Sequence, residues 1–233
     1  MSPGNPQVDT VFGWHAHTDH GTLFLICTEF TPAAKTKGTV VDPSIFHPLP
    51  GRAVFETALG FMALAWSKTG LVRLCLPEKT RDAAERRLLR LAGQATAAGD
   101  HTPPPWITAL IADIRRYADG DDVDFSDVPV DLAGIDDFRR DIYAAARNLH
   151  YGETTTYGGL AEKAGRKGLF RETGSALGAN PIPLVIPCHR ILAAGGKIGG
   201  FSATGGSNMK EKMLVLEGVR VGPPPSTQAS FGF

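Results

Sequence analysis

Apolar residues are spaced differently in the two halves of the chain. In the first half they come in short β-rich runs. Thr22 to Thr28 carries Leu23, Phe24, Leu25 and Ile26 and predicts a buried strand. Phe61 to Trp66 and Leu71 to Leu76 predict two more, joined by Ser67-Lys68-Thr69-Gly70, a hairpin signal. The period then lengthens. Thr80 to Leu91 places Ala84, Leu88 and Leu91 on one stripe behind Thr80 as N-cap, and Trp106 to Tyr117 predicts a second helix. Residues 1–20 are polar and read as loose, and Pro32 to Pro50 reads as an irregular excursion. Strands followed by helices predict a small α+β unit.

Asp119-Gly120-Asp121-Asp122 marks the way out of that unit, and Val128 to Asp131 leads into the next. From Asp136 the pattern is helical, with Phe138, Ile142, Ala145 and Ala146 on one face of Phe138 to Leu149. Thr156 can cap a short helix through Ala164. Gly165-Arg166-Lys167-Gly168 is a turn, and a third helix follows from about Leu169 to Gly178. Two short helices about a glycine-containing turn form a helix-turn-helix pattern, an arrangement used on DNA. The expected organisation is an N-terminal domain to residue 130, a mostly helical domain over 131–221, and a disordered Pro-rich tail over 222–233.

Composition narrows the class. An apolar content of 42% over 233 residues suits two modest soluble domains. No apolar run reaches membrane-spanning length, and Met1-Ser2-Pro3 opens no signal-peptide pattern, so a cytoplasmic monomer with no membrane partner is expected. Three cysteines, Cys27, Cys75 and Cys188, cannot all pair within one chain, which fits a reducing compartment. Net charge is zero, yet residues 1–133 carry 12 basic and 16 acidic side chains while 134–233 carry 12 and 8. A mildly basic second half is compatible with contacts to phosphates.

The candidate chemistry sits in Pro187-Cys188-His189-Arg190, which closes the apolar run Ile182-Pro183-Leu184-Val185-Ile186. A thiol among such residues keeps its proton unless a base stands by, because desolvation disfavours the thiolate. An adjacent histidine can take that proton directly or through water.

This window resembles the O6-alkylguanine-DNA alkyltransferases, also called methylated-DNA–protein-cysteine methyltransferases. The resemblance continues through Gly152-Glu153, Thr156-Tyr157, Leu160-Ala161, Arg171 and Gly178-Ala179-Asn180-Pro181, then through Gly199-Gly200-Phe201-Ser202 and Lys210 to Gly218. It implies suicidal transfer of an alkyl group from O6 of guanine in duplex DNA to Cys188, with O4-alkylthymine as a candidate second substrate. It implies a ribonuclease-H-like N-terminal domain and a winged-helix-like C-terminal one. His189 would activate Cys188 through a water, Glu217 would orient His189, and Tyr157 would donate to the leaving guanine. Arg171 would be the finger that fills the gap left by an extruded nucleotide, on a helix set in the minor groove with Thr156, Gly174 and Ser175 also at the DNA. Pro183, Ile191, Gly199, Phe201 and Ser202 would wall the guanine pocket. Within it, Ser202 N–H would face O6, and the carbonyls of Cys188 and Ile191 the exocyclic amine. Asn180 would be a hinge, Arg190 a structural anchor and Lys210 a source of positive potential.

Each residue also has a plainer reading. Tyr157 suits packing, Glu217-Gly218 a helix end with its C-cap, Arg171 and Lys210 solvated helix faces, and Gly199-Gly200 a simple turn. Glu172 and Phe170, flanking Arg171, are an acid and a bulky group where relatives carry small residues. The family's Val-Trp is Ile142-Tyr143 here, and Ala203 to Asn208 is about two residues longer than in human-type relatives. His15, His17, His20 and Cys27 are suitable zinc ligands, but their spacing fits no zinc pattern, and no cofactor is expected. Two other functions remain open on residues alone: a non-catalytic lesion binder, which the presence of Cys188 opposes, and a thiol hydrolase using Cys188, His189 and Glu217.

Overall fold

A computed structural model describes residues 11–19, 22–30, 51–92 and 102–220. The chain divides into two compact units, Met1–His47 and Pro48–Phe233. In the first, β1 (Val11–Asp19) and β2 (Thr22–Phe30) pair antiparallel, Val11 opposite Phe30 and Asp19 opposite Thr22. The second strand was expected; the first falls in a stretch expected to be loose. In this register His15 stands opposite Ile26, His17 opposite Phe24 and Cys27 opposite Trp14, so the cysteine is across from neither histidine. His20, the excursion Pro32 to Pro50 and the tail 222–233 lie outside the described residues.

The second unit holds a three-stranded antiparallel sheet in the order β3 (Gly51–Thr57), β4 (Gly60–Trp66), β5 (Leu71–Glu78). The predicted hairpin is β4–β5, closed by Ser67 N–H donating to Gly70 O at 2.8 Å. The edge strand β3 was not anticipated. Alternation along the strands gives the sheet two unlike faces. Ala63, Ala65 and Cys75 pack with Ala84 and Leu88 of α1 (Arg81–Ala92), where small side chains let the helix approach closely. Met62, Leu64, Trp66, Leu74 and Leu76 point into the main core with Ile107, Leu110, Ile114 and Tyr117 of α2 (Pro105–Ala118). Thr80 caps α1 as expected, its Oγ1 accepting from Ala83 N–H at 3.2 Å.

The expected border near residue 130 is a seam within one core. Leu71 N–H donates to Pro129 O at 2.8 Å, and Asp131 N–H to Leu71 O at 2.9 Å, so this segment runs beside β5. Gly70 is required there, since a Cβ would lie 2.7 Å from Pro129 O. The main core continues past the seam through Ile142, Tyr143, Leu160, Ile182, Ile186 and Met213. Helix α3 (Asp137–Arg147) starts at Asp136, whose Oδ1 accepts from Arg139 N–H at 2.9 Å. After it come β6 (Thr155–Thr156), α4 (Tyr157–Lys163), α5 (Phe170–Gly178), β7 (Ile191–Leu192) and α6 (Gly206–Leu216). Parallel pairing of β6 with β7 brings Thr156 beside Leu192, and so places the start of α4 next to the Cys188 segment.

Candidate active site

The segment bearing Cys188 is fastened by Asn180. Its Oδ1 accepts from Ile182 N–H at 2.9 Å and its Nδ2 donates to Ile186 O at 2.8 Å. Between those contacts Leu184 has φ 78°, the left-handed region, and it alone does so among the described non-glycine residues. Such a conformation costs about 1–3 kcal/mol and persists only where its surroundings fix it. The chain then makes a single 3-10 turn, Cys188–Arg190, with Cys188 N–H donating to Ile186 O at 2.7 Å.

That turn aims three side chains inward. His189 is fully buried, and its Nε2 lies 2.7 Å from Glu217 Oε1. Arg190 donates Nε to Glu217 Oε2 at 2.9 Å, Nη2 to Glu217 Oε1 at 3.0 Å and Nη1 to Leu149 O at 2.6 Å. Two donors not anticipated from the sequence complete the carboxylate: Tyr117 O–H to Oε1 at 2.9 Å and Gly152 N–H to Oε2 at 3.1 Å. Burial alone would raise the Glu217 pKa. The hydrogen bonds and charges of His189 and Arg190 outweigh it and bring the pKa down to about 2. An ionised carboxylate only accepts, so the imidazole proton sits on Nε2 and Nδ1 keeps its lone pair. Burial holds the His189 pKa below its usual value, with Glu217 acting against it. Burial is the largest influence, and the positive charges of Arg190 and Lys210 add to it. Glu217 also ends α6 as its C-cap, followed by Gly218 at φ 74°, so the plain reading and the functional one hold together.

Cys188 is buried, and burial pushes its thiol above the ordinary value; a hydrogen bond with Asn180 and the charge of Lys210 pull the other way. Lys210 is no solvated helix charge. It is fully buried, donates Nζ to Ile191 O, and lies 5.7 Å from the centroid of the Tyr157 ring. Burial lowers its pKa to about 8 against the opposing pull of Cys188. Tyr157 is the first residue of α4; its O–H donates to Gly200 O at 3.4 Å, and burial, then Cys188, raise its pKa, so the phenol keeps its proton at neutral pH. Cys75 marks the contrast. It too is buried, at a pKa of about 11, without an adjacent histidine.

Two cavities meet at Cys188. The larger, about 590 Å³, is bounded by Tyr157, Phe170, Gly174, Gly200, Phe201 and Ser202. The smaller, about 200 Å³, lies on the β5 side and is bounded by Arg73, Cys75, Arg87, Asn180 and Pro183, with Phe201 and Ser202 shared. Of the expected pocket wall, Phe201 and Ser202 border both cavities, while Pro183 borders only the smaller. Ile191 is buried and borders neither; its carbonyl accepts from Lys210, and the carbonyl of Cys188 accepts from Ile191 N–H. Gly199 has φ 71°, a conformation that favours glycine, and a Cβ there would just touch the Tyr157 ring at 3.4 Å.

Helix α5 forms one lip of the larger cavity. Arg171 is exposed in its first turn, with its guanidinium 5.7 Å from the Phe170 ring centroid, and Phe170 is 52% exposed. Ser175 Oγ donates to Arg171 O at 3.3 Å, and Thr156 Oγ1 caps α4 by accepting from Gly159 N–H at 3.1 Å. Arg166, in the turn between the two helices, pairs with Asp141 of α3.

Residues 137–219 match the family model for the 6-O-methylguanine DNA methyltransferase DNA-binding domain. The methylated-DNA–protein-cysteine methyltransferase of Methanothermobacter thermautotrophicus is 36% identical over 132 residues, 57% of this chain and 73% of that one. Its counterpart from Sulfolobus acidocaldarius is 34% identical over 168 residues, 72% and 93% of the two chains. The structure is similar to that of Mycobacterium tuberculosis OGT solved in complex with DNA, with a TM-score of 0.56 and 31% identity over 72% of this chain and 92% of that one. The fold, a small antiparallel sheet with helices, is also that of the Pyrococcus kodakaraensis O6-methylguanine-DNA methyltransferase, at a TM-score of 0.55 and 22% identity over 72% of this chain and 99% of that one. With a curated relative of 34% identity matched over 93% of its length and another of 36% identity over 73%, the chain belongs to the methylated-DNA–protein-cysteine methyltransferase family.

Proposed function

We propose that the protein repairs duplex DNA by moving the alkyl group of O6-alkylguanine onto Cys188, once per molecule. The observation that carries this reading is the buried His189 Nε2–Glu217 Oε1 contact of 2.7 Å beside a thiol that floors a 590 Å³ cavity. His189 Nδ1 takes the thiol proton through a water, and Lys210 favours the resulting thiolate. The sulfur attacks a saturated carbon in line with O6. The S–C bond forms as the C–O6 bond breaks, the electron pair goes to guanine, and the Tyr157 phenol protonates it. Nothing removes alkyl from a thioether, so the protein is spent. No cofactor is needed, since nucleophile and leaving group balance the step.

A stacked base cannot reach this thiol, so the nucleotide must swing out. We read α4, its turn and α5 as a helix-turn-helix whose exposed Arg171 enters the stack and fills the gap. Thr156, Gly174 and Ser175 then lie along the phosphates. The sheet with its helices is read as the ribonuclease-H-like support, and residues 131–221 as the part that carries the chemistry. Phe201 stacks on the extruded base. The carbonyls of Cys188 and Ile191 can still serve the exocyclic amine through their second lone pairs. The protein acts as a monomer on DNA.

The test is transfer of labelled methyl from O6-methylguanine duplex to the protein. Incorporation is expected to stop at one methyl per molecule and to vanish in Cys188→Ser. Continued turnover, or release of methanol, would overturn the reading in favour of a hydrolase.

A further inference from the structure

Phe170 has no part in the reaction as derived so far, yet it is 52% exposed and borders the larger cavity. Leu169 before it is exposed as well, and the two make up half of the four large apolar side chains left exposed among the described residues. Adjacent apolar groups at a cavity mark a contact surface, where scattered ones do not. Their place on α5 says which way the surface faces. Phe170, Gly174, Leu177 and Gly178 all border the cavity, and positions i, i+4, i+7 and i+8 share one side of a helix. Leu177, toward the inner end of this stripe, is buried and shares the cavity with Cys188, whereas Phe170 is the outer end, at the mouth. Between them Gly174 adds no side chain, so the passage along the stripe stays clear. Arg171, one residue on, is turned about 100° around the helix and stands beside the stripe, with its guanidinium 5.7 Å from the Phe170 ring centroid.

Depth decides what meets that ring. Cys188 is 8% exposed, so a guanine that presents O6 to it has its base at the cavity floor. The base stays joined to the DNA backbone through its deoxyribose, which then lies in the mouth. Apart from its ring oxygen, the body of that sugar is carbon and hydrogen, a match for a half-exposed phenyl ring. We propose that Phe170 packs against the deoxyribose of the extruded nucleotide and holds it in the mouth while the sulfur attacks. This rests on the transfer reaction proposed above. Arg171 acts on the stack that the nucleotide leaves, and Phe170 on the nucleotide that has left. Contact removes apolar surface of ring and sugar from water together, which favours the extruded state over return to the stack. The same contact selects guanine carried on a DNA strand over the free base.

The test compares single-turnover methyl transfer from O6-methylguanine supplied as the free base, in a single strand and in a duplex. The readout is the rate on each strand divided by the rate on the free base, which a general loss of active protein does not move. In Phe170→Ala both ratios are expected to fall about tenfold, the effect of leaving on the order of 50 Å² of apolar surface uncovered. Phe170→Leu keeps an apolar side chain at the mouth and is expected to lower them less. A fall on the duplex alone would put the ring in the base stack, and unchanged ratios would leave it no contact with the nucleotide. Either result, or a fall in Phe170→Leu as deep as in Phe170→Ala, would overturn the holding role and leave the transfer reaction standing. No methyl transfer to the unaltered protein from any of the three would overturn the transfer reaction itself, and the holding role with it.

Discussion

Tyr117, at the last turn of α2, donates its phenol to Glu217 Oε1 at 2.9 Å across a separation of 100 residues. Its ring also meets the His189 imidazole edge-on, with centroids 6.5 Å apart. The half of the chain expected only to support the chemistry thus supplies a donor to the carboxylate that orients the histidine. Tyr117→Phe keeps the packing and removes that donor. A buried hydrogen bond to a charged group is worth about 2 kcal/mol, so the unfolding free energy should fall by about that amount and the denaturant midpoint should drop with it. Transfer should slow only modestly, because His189 and Arg190 still hold Glu217. An unchanged midpoint would remove Tyr117 from the network.

Glu217 also sets an acid limit. Its pKa of about 2 in the fold lies below the ordinary 4.5, so the stability it gives is complete above 4.5 and is lost as pH falls from there toward 2. The linked loss is about 3 kcal/mol. In Glu217→Gln the acid-induced loss over that window should shrink, and the protein should be less stable at neutral pH because Arg190 is left buried without its counter-charge. Urea denaturation at a series of pH values measures both.

Lys210 acts on the thiol by charge. Lys210→Met fills similar space without the ammonium, so the thiolate loses a favourable neighbour and the Cys188 pKa rises further. The pH midpoint for alkylation of Cys188 by iodoacetamide should move upward, and methyl transfer at neutral pH should slow. In the intact protein Lys210 itself deprotonates near pH 8, so the gain in reactivity with rising pH should flatten above that value. An unmoved midpoint in Lys210→Met would show that the ammonium contributes no field at the sulfur.

Arg171→Ala should slow transfer from duplex DNA far more than reaction with a free alkylated guanine base, since only the duplex has a stack to enter. Loss of one cation at the DNA should also lower the slope of log affinity against log salt by about 1. An equal slowing on both substrates would place Arg171 outside nucleotide extrusion.

Short-range patterns in this chain were legible. Thr80, Asp136 and Thr156 cap the helices they precede because a side-chain oxygen two or three residues before an amide needs no tertiary context. The Cys188-His189-Arg190 run, with Glu217 closing a helix, carries its chemistry in residue type and order. Long-range contacts were not legible. Tyr117 lies on an amphipathic stripe where a phenol reads as packing, and nothing near it in sequence names its partner. Lys210 looks like any helix-surface lysine until the fold buries it against Ile191. The acidic, glycine-containing stretch before residue 130 reads as a linker, but pairing of Pro129 and Asp131 with Leu71 is decided across the fold. Strands β1 and β3 were missed for a related reason. Phe12, Trp14 and Ala16 alternate with His15 and His17, and Ala53 and Phe55 with Arg52 and Glu56, so neither strand forms a continuous apolar run like those of β2 and β4.

The central claim is that sulfur 188 receives the alkyl group. Peptide mass spectrometry after exposure to O6-methylguanine duplex tests it most directly, because Cys75 in the same unit serves as an internal control. The account predicts one added methyl on the peptide containing Cys188 and none on the peptide containing Cys75. Methyl on Cys75, or a folded, DNA-bound protein with Cys188 unmodified, would contradict it.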